Sequence, residues 1–206
     1  MTQKFETFQV DSIHDLYDII CDVGKGAYGK VIKCKEKSTN RILALKKIKI
    51  LKQNEGFPLT SVREIDILSV LHNDNIIGLR QIISTKDDRV YLAFDYCNYD
   101  LYGLIYSSQE NVLTDLHIAS YIKQLLQAIK VCQDSHIVHR DLKPANIFIT
   151  EENVLKLGDF GLAREISDEE NRKYTSAVIT LYYRAPELLF DCTNYKYEVD
   201  IWSVGC

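Results

Sequence analysis

The feature that most constrains this chain is the run His-Arg-Asp-Leu-Lys-Pro-Ala-Asn at residues 139–146. It matches the pattern H-R-D-L-x-x-x-N at every fixed position, which an unrelated sequence rarely does. The pattern predicts that Asp141 is a base that accepts the proton of a reacting hydroxyl group. It also predicts that Asn146 is a ligand of Mg²⁺.

Two shorter motifs follow this run in the order that the pattern requires. Residues 159–161 read D-F-G, and residues 185–187 read A-P-E. Asp159 is predicted to chelate a magnesium ion that bridges the phosphates of ATP. Each tripeptide is common by itself, but their order and separation make a coincidence negligible. The three motifs together predict phosphoryl transfer from ATP.

A glycine-rich run at residues 24–31 matches G-x-G-x-x-G-x-V. Glycine lets the backbone approach a phosphate closely, so Gly24, Gly26 and Gly29 are candidate nucleotide contacts. Taken alone, the run is explained equally well by an ordinary hairpin turn. A strand is predicted to follow the loop, whereas a dinucleotide-binding fingerprint would open a helix.

The stretch Leu-Ala-Leu-Lys that ends at Lys46 resembles the strand motif V-A-I-K. Lys46 is therefore predicted to hold the α- and β-phosphates. Strand alternation puts it on the same face as Ala44 and Ile48. The alternative is a surface lysine whose stem covers apolar neighbours, because Lys47 and Lys49 stand beside it.

Glu64 lies on a predicted helix and has apolar residues three, four and seven positions further on. A carboxylate on an apolar stripe needs a partner, and Lys46 is the natural candidate. The alternative is local, because Ser61 and Glu64 have the spacing of a capping box in which Glu64 caps its own helix.

Hydrophobic periodicity predicts a β-rich first part, a helix beginning at Thr60 or Ser61, and a second helix capped by Thr114. This pattern indicates an α+β chain of two lobes with a ligand cleft between them. Strands are predicted at residues 17–23, 30–35, 41–48, 79–84, 89–95, 147–149 and 154–157. The second helix is predicted to bury Ile118, Tyr121, Ile122, Leu125, Leu126 and Ile129.

Composition argues against several other classes of protein. The net charge of −4 gives no general surface for nucleic acid or membrane. No apolar run approaches the ~18 residues of a membrane helix, and the first residues lack the apolar core of a secretory signal. The six cysteines have neither C-x-x-C nor zinc-ligand spacing, so free thiols in a reducing compartment are predicted. We expect no direct nucleic-acid or membrane partner.

These motifs resemble the eukaryotic protein kinases, and the resemblance extends over residues 17–206. It implies a β-rich N-lobe and a mainly helical C-lobe, with ATP and Mg²⁺ as cofactors. The implied domains are an N-terminal extension at 1–16, an N-lobe with hinge at 17–97 and a partial C-lobe at 98–206. Because family members continue through further helices, the C-lobe is predicted to be truncated.

The same resemblance implies the roles of individual residues. Residues 95–97 correspond to the hinge that binds adenine through its backbone, with Phe94 as the gatekeeper behind it. Lys143 resembles the serine/threonine branch of the family. The implied catalytic residues are Asp141, Lys143, Lys46 and Glu64, and the metal ligands are Asn146 and Asp159. The implied cofactor-binding residues are Gly24, Gly26, Tyr28, Gly29, Val31, Ala44, Lys46, Phe94, Asp95, Cys97 and Asp100.

Within the family, residues 56–64, 159–164 and 174–184 are similar to the cyclin-dependent kinases. This implies a cyclin as partner and protein substrates with Ser/Thr-Pro sites. It also implies that Thr175 is an activating phosphorylation site, since a phosphate can order a loop through arginine forks. Ala27 replaces the usual threonine, so inhibitory phosphorylation would be confined to Tyr28. The arginines implied to meet the phosphate are Arg63, Arg140 and Arg164.

Residues 55–58 and 94–104 are similar to the transcriptional members of that group, which phosphorylate the C-terminal repeats of RNA polymerase II. From this resemblance we expect a nuclear location, and we expect a cytoplasmic one as well. Tyr182 replaces the tryptophan common in the activation segment, which changes the substrate pocket. The alternatives are a cell-cycle cyclin-dependent kinase and a truncated, non-catalytic module that binds nucleotide or cyclin. A small-molecule kinase is disfavoured by the segment around Thr175.

Overall fold

The structure of the chain is a computed structural model. It describes residues 5–26, 29–49, 57–106, 113–166 and 180–206, with only the backbone at positions 25, 26 and 29. The chain divides into two compact units. The first comprises Met1–Ser69 and Ile77–Cys97, and the second comprises Val70–Ile76 and Asn98–Cys206.

The first unit is built on a six-stranded sheet. Its strands are β1 at Glu6–Val10, β2 at Tyr17–Gly26, β3 at Gly29–Glu36, β4 at Ile42–Lys47, β5 at Leu79–Thr85 and β6 at Val90–Asp95. They lie in the order β1-β5-β6-β4-β3-β2. Strands β2 to β6 fall where the sequence predicts strands, with ends shifted by a few residues.

One side of this sheet forms the core of the first unit. Side chains that alternate along the strands meet there, as expected for a sheet with one buried face. Phe8, Val10, Ile13 and Leu16 pack against the edge of this core. Its buried members are Tyr17, Ile32, Cys34, Leu43, Leu45, Ile83, Tyr91 and Ala93.

Strand β1 is an element that the sequence interpretation did not predict. It pairs in parallel with β5, with Glu6 opposite Gln81. The amide of Gln81 donates to Glu6 Oε2 at 3.0 Å and to Glu36 Oε1 at 2.6 Å. It also accepts a bond from the Tyr17 hydroxyl. Because buried polar groups need partners, these bonds fix β1 in register on the sheet edge.

Helix α1 spans Leu59–Val70 and follows Pro58 directly. The amides of Ser61 and Val62 donate to the Pro58 carbonyl at 2.9 and 3.1 Å, so the first turn already includes Thr60 and Ser61. The predicted cap at Thr60 or Ser61 is therefore wrong by two to three positions. The capping-box alternative for Glu64 fails for the same reason.

The second unit is mainly helical, which together with the sheet confirms the predicted α+β class. The helices are α2 at Leu101–Ile105, α3 at Asp115–Asp134, α4 at Pro186–Leu189 and α5 at Glu198–Gly205. Short strands are β7 at Tyr99–Asp100, β8 at Ile137–Val138, β9 at Ile147–Ile149, β10 at Leu155–Leu157 and β11 at Arg164–Glu165. Single 3-10 turns cover Pro144–Asn146, Phe160–Leu162 and Leu181–Tyr183.

Helix α3 begins as predicted, because the Thr114 hydroxyl accepts a bond from the His117 amide at 3.3 Å. Its buried face is narrower than predicted. Tyr121, Leu125 and Ile129 are buried, and the stripe continues through Ala128 and Cys132. Ile118, Ile122 and Leu126 remain 40% to 48% exposed, because they lie on the flank of the stripe that packs on the rest of the unit.

Helices α4 and α5 of the second unit meet at a buried cluster around Val199 of α5, which is fully buried. Ile201 and Trp202 of the same helix are 44% and 49% exposed. The buried cluster around Val199 consists of Val138, Ile166, Ala185, Leu188, Tyr195 and Val199.

Among the described residues, no helix is both long and apolar enough to span a membrane.

Candidate active site

In the first unit, several predicted nucleotide-binding residues share one face of the sheet. Gly24 lies opposite Val31, and Val31 lies opposite Lys46. Ala44 lies opposite Phe94. Ala44 and Lys46 are two residues apart on β4 and so point to the same side, away from the core. The register thus gathers five of the predicted positions into one patch.

The patch has open space at its glycine end. A Cβ built at Gly24 would meet no described atom within 4 Å. Packing within the chain therefore does not demand a glycine there, which fits a role in admitting a ligand close to the backbone. Gly26 and Gly29 face each other at the end of the β2–β3 hairpin. Tyr28 lies outside the described residues.

Lys46 is paired with Glu64 of α1. Its Nζ donates to both carboxylate oxygens at 2.8 Å. The side chains are only 15% and 3% exposed, so water screens the pair weakly. The same Nζ lies 5.9 Å from the ring centre of Phe94. A buried carboxylate with this partner holds the lysine in one position on the patch.

The residues at the end of β6 have partners of their own. Asp95 forms a salt bridge with Arg80 through two bonds of 2.7 Å each. Asp100 caps α2, since its Oδ1 accepts a bond from the Gly103 amide at 2.7 Å. The capping role of Asp100 was not predicted from the sequence. Cys97 is half-buried.

In the second unit, the turn after β8 brings Asp141, Lys143 and Asn146 together. Lys143 Nζ lies 2.7 Å from Asp141 Oδ2. The Asn146 amide nitrogen donates to Asp141 Oδ2 at 2.9 Å and to its backbone carbonyl at 2.8 Å. The Asp141 carboxylate is thus held by two donors from its own loop and is 2% exposed as a residue.

The same loop is anchored by Asp200 of α5, a residue for which no role was predicted. Its carboxylate accepts the backbone N–H of His139 at 2.7 Å and that of Arg140 at 2.9 Å. Burial is the largest influence on the pKa of Asp200 and raises it, while the electrostatic influence of His139 and Arg140 and these two bonds act in the opposite direction. A buried carboxylate that caps two amides fixes the backbone just before Asp141.

His139 links the loop to the D-F-G segment. Its Nδ1 lies 3.2 Å from the Asp141 amide, and its Nε2 lies 2.9 Å from the Gly158 carbonyl. Since Nδ1 accepts, these partners assign the hydrogen to Nε2. The ring also meets Phe160 edge-on, with ring centres 4.8 Å apart.

Asp159 adopts a left-handed backbone conformation with φ of 59°. Such a conformation is uncommon for a residue other than glycine and is found where surrounding structure enforces it. Phe160, the next residue, is fully buried.

The arginines predicted to meet a phosphate are placed as follows. Arg140 is 2% exposed, and its guanidinium donates to the Leu162 carbonyl at 2.9 and 2.7 Å and to the Tyr195 hydroxyl at 2.8 Å. Arg63 and Arg164 are half-buried. Thr175 lies outside the described residues, so its phosphorylation and the convergence of the arginines stay predictions.

The chemistry of Asn146 and Asp159 fits Mg²⁺. Mg²⁺ is commonly bound by one or two protein oxygens together with phosphate oxygens and water. Both described bonds of Asn146 use its nitrogen, so they do not engage Oδ1, the atom that a hard cation binds. Within the described ranges no group of three or more His, Cys, Asp or Glu side chains could hold a metal alone. Mg²⁺ held by Asn146 and Asp159 would take its other ligands from phosphate oxygens and water.

The fold and these two groups of residues define a protein kinase. The chain belongs to the protein kinase domain family, whose model matches residues 17–206. This confirms the resemblance stated from the sequence.

Several relatives of the chain are named cyclin-dependent kinases. The chain is 41% identical over 202 residues to "Cyclin-dependent kinase 12" of Drosophila melanogaster, covering 93% of the chain and 17% of that protein. It is 39% identical over 203 residues to "Cyclin-dependent kinase 9" of Danio rerio, covering 92% and 54%. It is 41% identical over 191 residues to "CTD kinase subunit alpha" of Saccharomyces cerevisiae, covering 93% and 36%. The chain therefore spans between about a sixth and about half of the length of these relatives.

Proposed function

We propose that this chain is the catalytic part of a cyclin-dependent serine/threonine kinase that transfers the γ-phosphate of ATP to Ser/Thr-Pro sites. The observation that carries the proposal is the Asp141–Lys143–Asn146 cluster. A carboxylate held at 2.7 Å from a lysine and at 2.9 Å from an amide is ready to accept a hydroxyl proton. A chain that had lost catalysis would not need to keep this arrangement.

Each residue has a distinct role in the proposed reaction. Bound Mg²⁺ and ATP supply the phosphoryl group and part of the charge neutralisation. Asp141 orients the substrate hydroxyl and accepts its proton, and Lys143 donates a bond that keeps the carboxylate in place. Lys46 binds the α- and β-phosphates, and Glu64 holds Lys46 in position. Asn146 and Asp159 hold Mg²⁺.

Substrate and partner follow from similarity. One relative is named a CTD kinase subunit, and others are named cyclin-dependent kinases. We therefore infer that a cyclin activates this chain and that its substrates include the C-terminal repeats of RNA polymerase II. A nuclear location goes with that substrate.

The test is transfer of radiolabelled phosphate from ATP to a serine-proline peptide, with and without added cyclin. We expect transfer that depends on Mg²⁺ and increases with cyclin, and a much weaker signal on a matched serine-alanine peptide. Asp141→Asn should abolish transfer while nucleotide binding persists, because Asp141 acts on the hydroxyl. Nucleotide binding without transfer by the wild-type chain, under all cyclins tried, would instead support the non-catalytic module.

A further inference from the structure

We infer that Arg80 is a positioning residue for adenine recognition, because its salt bridge to Asp95 fixes the backbone where β6 ends and the hinge at residues 95–97 begins. The inference rests on the proposed nucleotide-binding function. It adds a residue on β5 to a site otherwise assigned to the glycine loop, β4, α1 and the hinge.

The first argument is the geometry of the pair. Arg80 Nε lies 2.7 Å from Asp95 Oδ1, and its other contacting nitrogen, Nη2, lies 2.7 Å from Oδ2. Two parallel bonds between a planar guanidinium and a planar carboxylate fix orientation as well as distance. Asp95 therefore cannot rotate or shift along the strand without breaking at least one of them.

The second argument is an irregularity in the sheet. Leu79 pairs with Phe94 and Gln81 pairs with Ala93, so the register shifts between them and Arg80 is the extra residue. A β-bulge of this kind re-aims a side chain at the expense of regular pairing. Here the bulged residue is the one that reaches Asp95.

The third argument is Gly78. Its carbonyl accepts the Asp95 amide at 3.0 Å. A Cβ built at Gly78 would lie only 2.5 Å from Asp95 Oδ2. The same Cβ would lie 3.2 Å from Arg80 Cζ and Nε, so any other residue here would crowd both partners, and the glycine provides the room that the salt bridge requires.

The next hinge residue is held from a different strand. Lys33 Nζ of β3 lies 4.1 Å from the centre of the Tyr96 ring, a cation–π contact. Asp95 and Tyr96 are thus each fixed by a cation that the sheet supplies. Two consecutive residues with such partners give the hinge backbone a defined position before any ligand arrives.

Stability alone explains this arrangement poorly. The two side chains of the salt bridge are 45% and 24% exposed, and pairs with this exposure contribute little to folding. The bulge at Arg80 and the glycine at position 78 make the sheet less stable than regular pairing would. A hinge backbone whose N–H and C=O groups are already positioned binds adenine more tightly, because less conformational entropy is lost on binding.

The experiment compares ATP binding by the wild-type chain with that by Arg80→Met and Gly78→Ala. The first variant removes one charge, and the second displaces the carboxylate while leaving both charges. We expect each to raise the Kd for Mg²⁺-ATP about fivefold, the effect of one well-formed ion pair. Mg²⁺-tripolyphosphate, which lacks adenine, should bind equally well to all three proteins.

Arg89→Ala is the matched control. Arg89 also pairs with an aspartate, Asp87, at 2.9 Å, and lies at the opposite end of the β5–β6 hairpin. It should leave ATP affinity unchanged. The inference is overturned if Arg80→Met and Gly78→Ala bind ATP within about twofold of wild type. It is also overturned if ATP and tripolyphosphate affinity fall together, which indicates general loss of structure. A wild-type chain that binds no ATP refutes the proposed function itself, and the inference with it.

Discussion

The Lys46–Glu64 pair gives the sharpest test of how burial sets the strength of an ion pair in this chain. Glu64→Gln keeps the shape of the side chain but replaces one acceptor oxygen by an amide nitrogen, which faces the ammonium unfavourably. Removing one partner of a buried pair costs about 3–5 kcal/mol. Because the amide retains one acceptor, we expect a loss of about 2 kcal/mol here.

That loss should appear in two assays. If the pair must form for Lys46 to hold the phosphates, kcat/KM for ATP should fall about 30-fold, since each 1.36 kcal/mol is a factor of ten. Urea denaturation should show a reduced free energy of unfolding, because the Lys46 amine loses its counter-ion in a site that is only 15% exposed.

Asp134→Asn is a control with the same local geometry. Lys130 Nζ lies 2.8 and 2.9 Å from the two Asp134 oxygens, but these side chains are 71% and 63% exposed. An exposed pair of this spacing contributes about 0.3–0.5 kcal/mol. For Asp134→Asn, kcat/KM for ATP and the free energy of unfolding should therefore stay near their wild-type values. Equal, small effects of Glu64→Gln and Asp134→Asn would refute the reasoning from burial.

Further predictions concern Asp200, Asp159 and the Cys34 thiol. Asp200→Ala should reduce the free energy of unfolding in urea by about 2–5 kcal/mol, because two buried backbone N–H groups lose their acceptor; an unchanged denaturation midpoint would contradict this. Asp159→Asn should raise the Mg²⁺ concentration needed for half-maximal activity, as measured by titration at saturating ATP, whereas an unchanged requirement would remove it from the metal site. Burial raises the pKa of the Cys34 thiol from 9.0 to about 12, so alkylation near pH 9 should modify the exposed Cys21 and Cys206 well before it. The unfolded chain releases the Cys34 proton at lower pH than the folded chain, so its contribution to stability should be constant below pH 9.0 and fall as the pH rises toward about 12.

The candidate site was predictable where short motifs carry it. The Glu64 side chain lay on an apolar stripe, which required a partner, and the structure provides Lys46 at 2.8 Å. Arg80 had no such signal. It belongs to no motif, and its contact with Asp95 depends on a bulge that periodicity does not reveal.

Asp200 was missed although the same argument applied to it. It stands between Val199 and Ile201, two apolar residues, so a buried carboxylate needing partners could have been inferred. Its partners are backbone amides in a distant segment, and amides have no sequence signature. The two amides that bind Asp200 could therefore not be identified from the pattern of side chains in the sequence.

In the fold too, features set by adjacent residues have a signal in the sequence, whereas pairing between distant segments does not. Thr114 caps α3 as predicted, because capping depends on adjacent residues. At α1 the Pro58 start was overlooked, although proline is favoured next to helix starts. Strand β1 alternates Phe8 and Val10 with polar neighbours, a period-two signal that was present but short. Its parallel pairing with β5 depends on a segment far along the chain.

The bonds between Asp200 and the loop at His139 join residues 61 positions apart. A ribosome adds about 5–20 residues per second, so the loop is synthesised roughly 3–12 seconds before its anchor. During that interval the Asp200 carboxylate is not yet present to accept bonds from the loop amides. A nascent chain therefore carries every residue of the Asp141–Lys143–Asn146 cluster before it can hold that cluster in place. The order of synthesis delays the assembly of this cluster until α5 is made.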